Sequence, residues 1–336
     1  MERIGIIGLG YWGPNLVRNF QAVLGPCAVW GYDRQRDRAA EVARRYPGLA
    51  LVDDLDTLLA NPHVDAVAVA TPAQTHYTLA RAALEAGKSV LVEKPLCTEA
   101  AQAEALIELA RRRGKVLMVD HTFVYSPAVR KLHELVSTGQ LGRVRFIDSV
   151  RINLGQVQPD VNVVWDLAPH DVSIADYLLG RSPQSVTAVG AAHTRCDVED
   201  LAYLHLDYGE GLVVHVHVNW LSPVKLRSTL IGGSRRSIVY NDLEPVEQLK
   251  VYDCGVELRA DDCEGRRQRL VDYRTGDVWS PHVAREEPLR RVAEEFVECC
   301  RLGRRPLADG EAGLRVVRVL AAAQRSIKAH GARMAL

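Results

Sequence analysis

An apolar stretch near the N-terminus, carrying Ile4, Ile6 and Ile7, runs straight into Gly8-Leu9-Gly10-Tyr11-Trp12-Gly13, and Asp33 follows after a further apolar stretch at 28–32. Strand, glycine turn, helix and acidic residue in that order form a dinucleotide-binding turn, a stricter pattern than glycine spacing alone. Gly8 permits the tight turn, Gly10 lets backbone approach a pyrophosphate, and Gly13 lets the next helix pack closely on the strand. Pro14 suits the first turn of that helix, whose free N–H groups and dipole favour phosphate. Asp33 stands where a carboxylate accepts hydrogen bonds from ribose hydroxyls.

The rest of the first third follows the same rhythm. Strands are predicted at 3–7, 28–32, 49–52, 66–70, 89–92 and 116–119, with helices at 14–24, 36–46, 75–86 and 99–113. Such alternation makes a parallel, doubly wound sheet, with ligands at the carboxyl ends of its strands. After Pro127 the texture changes to a helix at 128–138 and a strand at 144–152. Short alternating stretches follow at 185–189, 201–206, 212–220, 226–231, 237–240 and 249–252, as in an antiparallel sheet with one wetted face. A helix at 171–179 interrupts them, and two more close the chain at 289–300 and 310–329, the second N-capped by Asp309. The predicted fold class is α/β: a Rossmann doubly wound parallel sheet over 1–121, plus a C-terminal α+β domain over 122–336 with a large open, mostly antiparallel sheet. Residues 261–288 are polar and carry no assignment.

Charge narrows the partners. Lys plus Arg and Asp plus Glu number 42 each, and no basic stripe appears, which argues against nucleic acid. Arg111-Arg112-Arg113 reads as a solvated helix end that complements the dipole. No apolar run approaches a membrane span, and Met1 leads directly into the first strand, leaving no room for a signal peptide. The seven cysteines lack CxxC or zinc spacing. His215 and His217 share one strand face without a third ligand, so no metal is predicted. A reduced, cytoplasmic protein is expected.

Chemistry beyond the nucleotide centres on Lys94, which follows a buried strand and is fixed by Pro95, where a nicotinamide would lie. The glycine turn, the Ala70-Thr71-Pro72…His76 turn and Glu93-Lys94-Pro95 together resemble the Gfo/Idh/MocA oxidoreductases. Asn162-Val163-Val164-Trp165-Asp166-Leu167-Ala168-Pro169-His170-Asp171 is similar to that family's second signature, with Asp166 and His170 at the matching positions. On a helix these two share one face. The Tyr11-Trp12 insert and the Trp-Asp-Leu-Ala-Pro-His-Asp run resemble the branch that acts on nucleotide-linked sugars.

That resemblance implies a hydride exchanged between nicotinamide and a ring hydroxyl or ketone of a sugar. His170 suits the general acid/base role, since imidazole titrates near neutrality. Lys94 would favour alkoxide character on the reacting oxygen. Asp166 would hold the imidazole or bind a neighbouring sugar hydroxyl. By resemblance Thr71, Pro72 and His76 line the nicotinamide side, and Glu93 is either a partner of Lys94 or a cofactor contact. Asp33 repels a 2′-phosphate and favours NAD(H) over NADP(H), while Arg34 beside it could stack on adenine or pair with such a phosphate. Arg151, Asn153, Gln156 and Asn162 are candidate substrate contacts, with Phe123 and Tyr125 a candidate apolar wall. The competing expectations are a dehydrogenase of free cyclitols or aldoses, of the inositol dehydrogenase kind, and a non-catalytic dinucleotide-binding sensor. The alternating strand around His215 predicts a sheet face covered by another subunit, in a homodimer or homotetramer.

Overall fold

The computed structural model describes residues 1–155, 161–194, 198–258 and 271–336. It divides into two compact units, and the division is not linear. The first unit comprises Met1–Ser126, Gln158–Asp176 and Glu286–Ala321; the second comprises Pro127–Val157, Tyr177–Arg285 and Ala322–Leu336.

In the first unit, strands β1 (Ile4–Ile7), β2 (Val29–Tyr32), β3 (Ala50–Leu51), β4 (Ala66–Val69), β5 (Ser89–Glu93) and β6 (Leu117–Asp120) pair in the order β3-β2-β1-β4-β5-β6. All their pairings are parallel, the doubly wound arrangement that the sequence predicts. Helices α1 (Gly13–Leu24), α2 (Arg36–Arg45), α3 (Leu55–Ala60), α4 (Ala73–Glu85) and α5 (Ala100–Arg113) make the crossovers. Every residue of β1, β4 and β6 is buried, which is why these strands read as continuous apolar runs rather than alternating ones. Helix α3 escapes sequence reading because its six residues cover less than two turns. It is nonetheless capped, with the Asp54 side chain accepting the Thr57 N–H at 2.7 Å.

The chain continues through α6 (Pro127–Ser137), β7 (Val144–Leu154), α7 (Val163–Leu179), β8 (Ser185–Ala191), β9 (Leu201–Asp207), β10 (Val213–Asn219) and β11 (Leu221–Gly233). Strands β12 (Ser237–Asn241), β13 (Leu249–Tyr252), β14 (Gly255–Leu258), β15 (Val271–Arg274) and β16 (Val278–Trp279) follow, then α8 (Pro288–Leu302), α9 (Gly310–Lys328) and β17 (Met334–Ala335). The second unit holds a nine-stranded sheet in the order β16-β13-β12-β11-β7-β10-β9-β8-β17, antiparallel except where β10 runs parallel to β7. Strands β9 and β10 bury every second residue, so Ala202, Leu204, Leu206, Val214, Val216 and Val218 form the covered face. On the other face His205 and His215 lie 2.7 Å apart through their ring nitrogens, and His217 stacks on Tyr203.

Two helix boundaries matter for the site. Helix α7 begins at Val163, eight residues before the predicted start, because the Asn162 side chain accepts the Trp165 N–H at 3.2 Å. Asp309 caps α9 as predicted, accepting the Ala312 N–H at 2.9 Å.

Candidate active site

The glycine turn is shaped by steric need at each position. Gly8 has φ +94°, and a Cβ there would stand 2.6 Å from the Ala70 carbonyl oxygen. A Cβ on Gly13 would collide with the Gly8 carbonyl oxygen, so α1 can only sit this close to β1 without one. Gly10 is different: a Cβ would meet only Arg38, at 3.7 Å, and the space over this residue is open to an incoming ligand. No side chain caps α1 and no acidic residue lies in its first turn, which suits a dianionic pyrophosphate. The residues present therefore fit a dinucleotide, held by the glycine backbone, the start of α1 and Asp33.

Asp33 lies at the end of β2 with its side chain only 6% exposed. Its Oδ2 accepts the Leu9 N–H and its Oδ1 the Gln35 N–H, both at 2.8 Å, so the carboxylate also braces the glycine turn. Arg38, rather than Arg34, is the cation beside it, at 3.5 Å. Arg34 is exposed. Tyr11 is 87% exposed and leans against Trp12, whose indole Nε1 donates to Asp120 Oδ2 at 3.4 Å.

Lys94 leaves the end of β5 through a cis peptide bond to Pro95. Its Nζ donates to the main-chain oxygen of Asp166 at 2.7 Å and to Asp166 Oδ1 at 3.0 Å. Helix α7 brings Asp166 there in its first turn, and His170 follows one turn later on the same face. Pro169 inside the helix has no N–H for the Trp165 carbonyl, which loosens this turn. The Asp166 carboxylate thus holds Lys94, a partner that the sequence reading did not assign to it. The His170 ring meets Phe123 edge-on, with centroids 4.9 Å apart.

Beneath these groups lies a cluster that sequence reasoning missed. Glu93 on β5 is the register partner of Asp120 on β6. Burial first, and the facing Asp120 second, hold the Glu93 carboxyl well above the usual range. Asp120 also accepts the Thr122 hydroxyl at 2.7 Å. The next residue, His121, is 2% exposed, and neither ring nitrogen has a hydrogen-bond partner among the described residues. Burial, then the charges of Lys94 and Arg315, push its imidazole down to about 3. Arg315 on α9 is itself paired with Asp176 on α7 through two contacts of 2.7 Å. The one available signal was an Asp-His pair closing an otherwise apolar strand.

Other predicted contacts fall elsewhere. His76 is buried and bridges two turns, with Nδ1 2.7 Å from the Pro95 oxygen and Nε2 2.8 Å from the Thr71 oxygen. Thr71 Oγ1 lies 2.7 Å from Thr75 Oγ1, and Pro72 precedes α4. Asn162 serves α7 as its cap. Tyr125 is only 1% exposed, so it is packed in the first unit rather than standing as an open wall. Its hydroxyl accepts the Ala308 N–H at 3.2 Å, and burial with the nearby Glu295 raises its pKa. Arg151, buried, and Asn153 lie on β7 in the second unit. Gln156 lies outside the described residues. No described helix is long and apolar enough to cross a membrane.

Comparison with known proteins agrees with this architecture. Residues 2–121 match the model of the oxidoreductase family with an NAD-binding Rossmann fold, and residues 129–239 match the Gfo/Idh/MocA C-terminal domain. The chain is 30% identical over 318 residues to UDP-N-acetylglucosamine 3-dehydrogenase of Acidithiobacillus ferrooxidans, covering 94% of each. It is 33% identical over 242 residues to inositol 2-dehydrogenase 2 of Saccharopolyspora erythraea, covering 68% of this chain and 70% of that one. A solved structure of the Acidithiobacillus ferrooxidans enzyme superposes with a TM-score of 0.82 at 26% identity, covering 98% of both chains. The chain belongs to the Gfo/Idh/MocA family of oxidoreductases, enzymes built on an NAD-binding Rossmann domain.

Proposed function

We propose that this chain is an NAD(H)-dependent dehydrogenase that oxidises a ring hydroxyl of a nucleotide-linked sugar, and reduces the corresponding ketone in reverse. The observation that carries the reading is the fixed Lys94–Asp166 pair with His170 one turn along α7. The dinucleotide, when bound, supplies the hydride acceptor. His170 takes the hydroxyl proton, and Lys94 stabilises the oxygen as it gains negative charge. Asp166 keeps the Lys94 ammonium in place. Arg151 and Asn153 are proposed to contact the substrate beyond the reacting ring.

The nucleotide-linked substrate is supported by similarity to a UDP-sugar 3-dehydrogenase along nearly the full length of both chains. A free cyclitol is the second reading, favoured by the higher identity, over a shorter span, to an inositol dehydrogenase. The choice is tested by following NADH formation with UDP-N-acetylglucosamine and with myo-inositol. Turnover of the inositol alone refutes the first reading. Turnover of neither, with NADH still bound, favours a silent sensor. Lys94→Ala and His170→Ala are each expected to lower kcat by about 10²–10⁴-fold. We further propose homo-oligomers joined through the sheet face that bears Tyr203 and His215, a dimer or a tetramer, to be read by sedimentation.

A further inference from the structure

Glu93 and Asp120 stand opposite each other on neighbouring parallel strands, so their side chains leave the sheet on the same side, about 4.8 Å apart at the backbone. The pair faces itself in the sheet interior, where the Glu93 carboxyl is shut off from solvent. Two like charges facing each other away from water repel, and a proton on one of the two carboxyls relieves that cost. The surroundings decide which. Asp120 receives a donor on each oxygen, the Thr122 hydroxyl on Oδ1 and the Trp12 indole on Oδ2. Glu93 Oε1 is sealed from solvent and has no donor among the described residues. Lys94, the adjacent cation, is committed to Asp166.

We propose that Glu93 and Asp120 form a proton-sharing pair that positions the site: Asp120 is the anion that holds Trp12 and Thr122, and Glu93 is the neutral acid that leaves Lys94 to Asp166. The pair thereby links the aromatic insert of the glycine turn to the strand end that presents the lysine. Both act through other residues and are positioning residues. The charged or titratable groups around Glu93 are Asp120 on β6 and its chain neighbour Lys94, with Asp166 on α7 beyond the lysine and His121 beyond Asp120. Burial holding the Glu93 carboxyl above its usual range agrees with this assignment.

The proposal rests on the dinucleotide half of the proposed function and needs no knowledge of the sugar. Two isosteric changes, Glu93→Gln and Asp120→Asn, are compared alone and together in the full chain. NADH affinity is followed by its fluorescence, and the melting midpoint without ligand, from pH 5 to pH 9. Glu93→Gln is expected to flatten the decline of NADH affinity with rising pH, and its midpoint advantage over the parent should grow toward pH 8. Asp120→Asn removes the anion behind Trp12 and frees Glu93 to ionise beside Lys94, so NADH should bind about tenfold more weakly. The double variant should bind no more weakly than Asp120→Asn alone. Equal effects of the two single changes, losses that multiply in the double, or a benign Asp120→Asn with a damaging Glu93→Gln would each overturn the assignment. The midpoint comparison needs neither NADH nor substrate, so it stands even if UDP-sugars are not turned over.

Discussion

Acidification should unload a defined part of the stability of this chain through His121. The residue is 2% exposed, both ring nitrogens lack partners among the described residues, and the positive groups Lys94 and Arg315 lie in its field. Its imidazole is pushed from 6.5 down to about 3 in the folded protein. The unfolded chain binds this proton near pH 6.5, whereas the folded chain refuses it until about pH 3. Stability from this site is therefore full above pH 6.5 and falls as the pH drops, because the unfolded state gains a proton that the native state cannot take. Each pH unit in that window is worth about 1.4 kcal/mol, so the drop from pH 6.5 to 4.5 costs about 3 kcal/mol. The perturbation is His121→Leu, which removes the titrating group and two unsatisfied nitrogens while keeping an apolar side chain. Urea unfolding of both proteins at pH 7.5, 6.0 and 4.5, followed by circular dichroism and by tryptophan fluorescence, measures the difference. Carboxylates elsewhere titrate alike in both chains and cancel. The variant should gain on its parent by about 3 kcal/mol across the acid range. A gap that does not change with pH would refute the claim that the fold holds His121 neutral.

Other expectations follow from the same geometry. Gly13→Ala drives a Cβ into the Gly8 carbonyl and should cost about 1–3 kcal/mol in thermal stability, with weakened NADH binding. Asp33→Ala removes the acceptor of the Leu9 and Gln35 N–H groups and leaves Arg38 unopposed. Its NAD affinity should fall about tenfold and its preference should move toward NADP; unchanged discrimination in side-by-side titrations contradicts the role assigned to this carboxylate. His76→Leu removes a ring that contacts both the Thr71 and Pro95 carbonyls and whose neutral form donates to one of them, and a loss of about 1–3 kcal/mol is expected in denaturant melts.

The parts of the site that were legible in the sequence are those whose signal is local. Gly8 and Gly13 are forced by contacts with neighbouring backbone, and the end of β5 is readable because a buried apolar run stops at Glu93-Lys94. The four-residue step from Asp166 to His170 fixes their shared face without knowledge of the rest of the fold. What was hidden depends on partners distant in sequence. Nothing near Asp166 says that its carboxylate goes to Lys94, seventy-two positions earlier. Tyr125 looks like a ligand contact in isolation, and only tertiary structure reveals a hydroxyl bonded to the backbone of Ala308, whereas the Asn162 cap on Trp165 is local and was hidden only by the misplaced start of α7. Strand β11 exceeds its predicted 226–231 because the register shift between Leu221 and Leu226 absorbs Pro223, a residue that marks a break in a linear reading.

The charge arrangement around Lys94 follows one rule: neighbours that could compete for it, or with it for Asp166, are kept neutral or already matched. Glu93 is held protonated by burial and by Asp120, His121 is held unprotonated by burial, and Arg315 is matched by Asp176. An ammonium has three N–H donors. Asp166 takes two of them, one through its backbone oxygen and one through its carboxylate. The third has no acceptor among the described residues, its direction is set because the other two are fixed, and in the proposed reaction it would meet the substrate oxygen. In the proposed reaction a lysine paired with a mobile surface carboxylate would need to reorient at each turnover, whereas one held by Asp166 would meet a developing alkoxide with its geometry already prepared. The same arrangement explains why the first compact unit must recruit residues from beyond position 157. The dinucleotide turn and Lys94 come from the N-terminal segment, but the carboxylate that holds the lysine, His170 and the arginine whose charge opposes protonation of His121 arrive on α7 and α9.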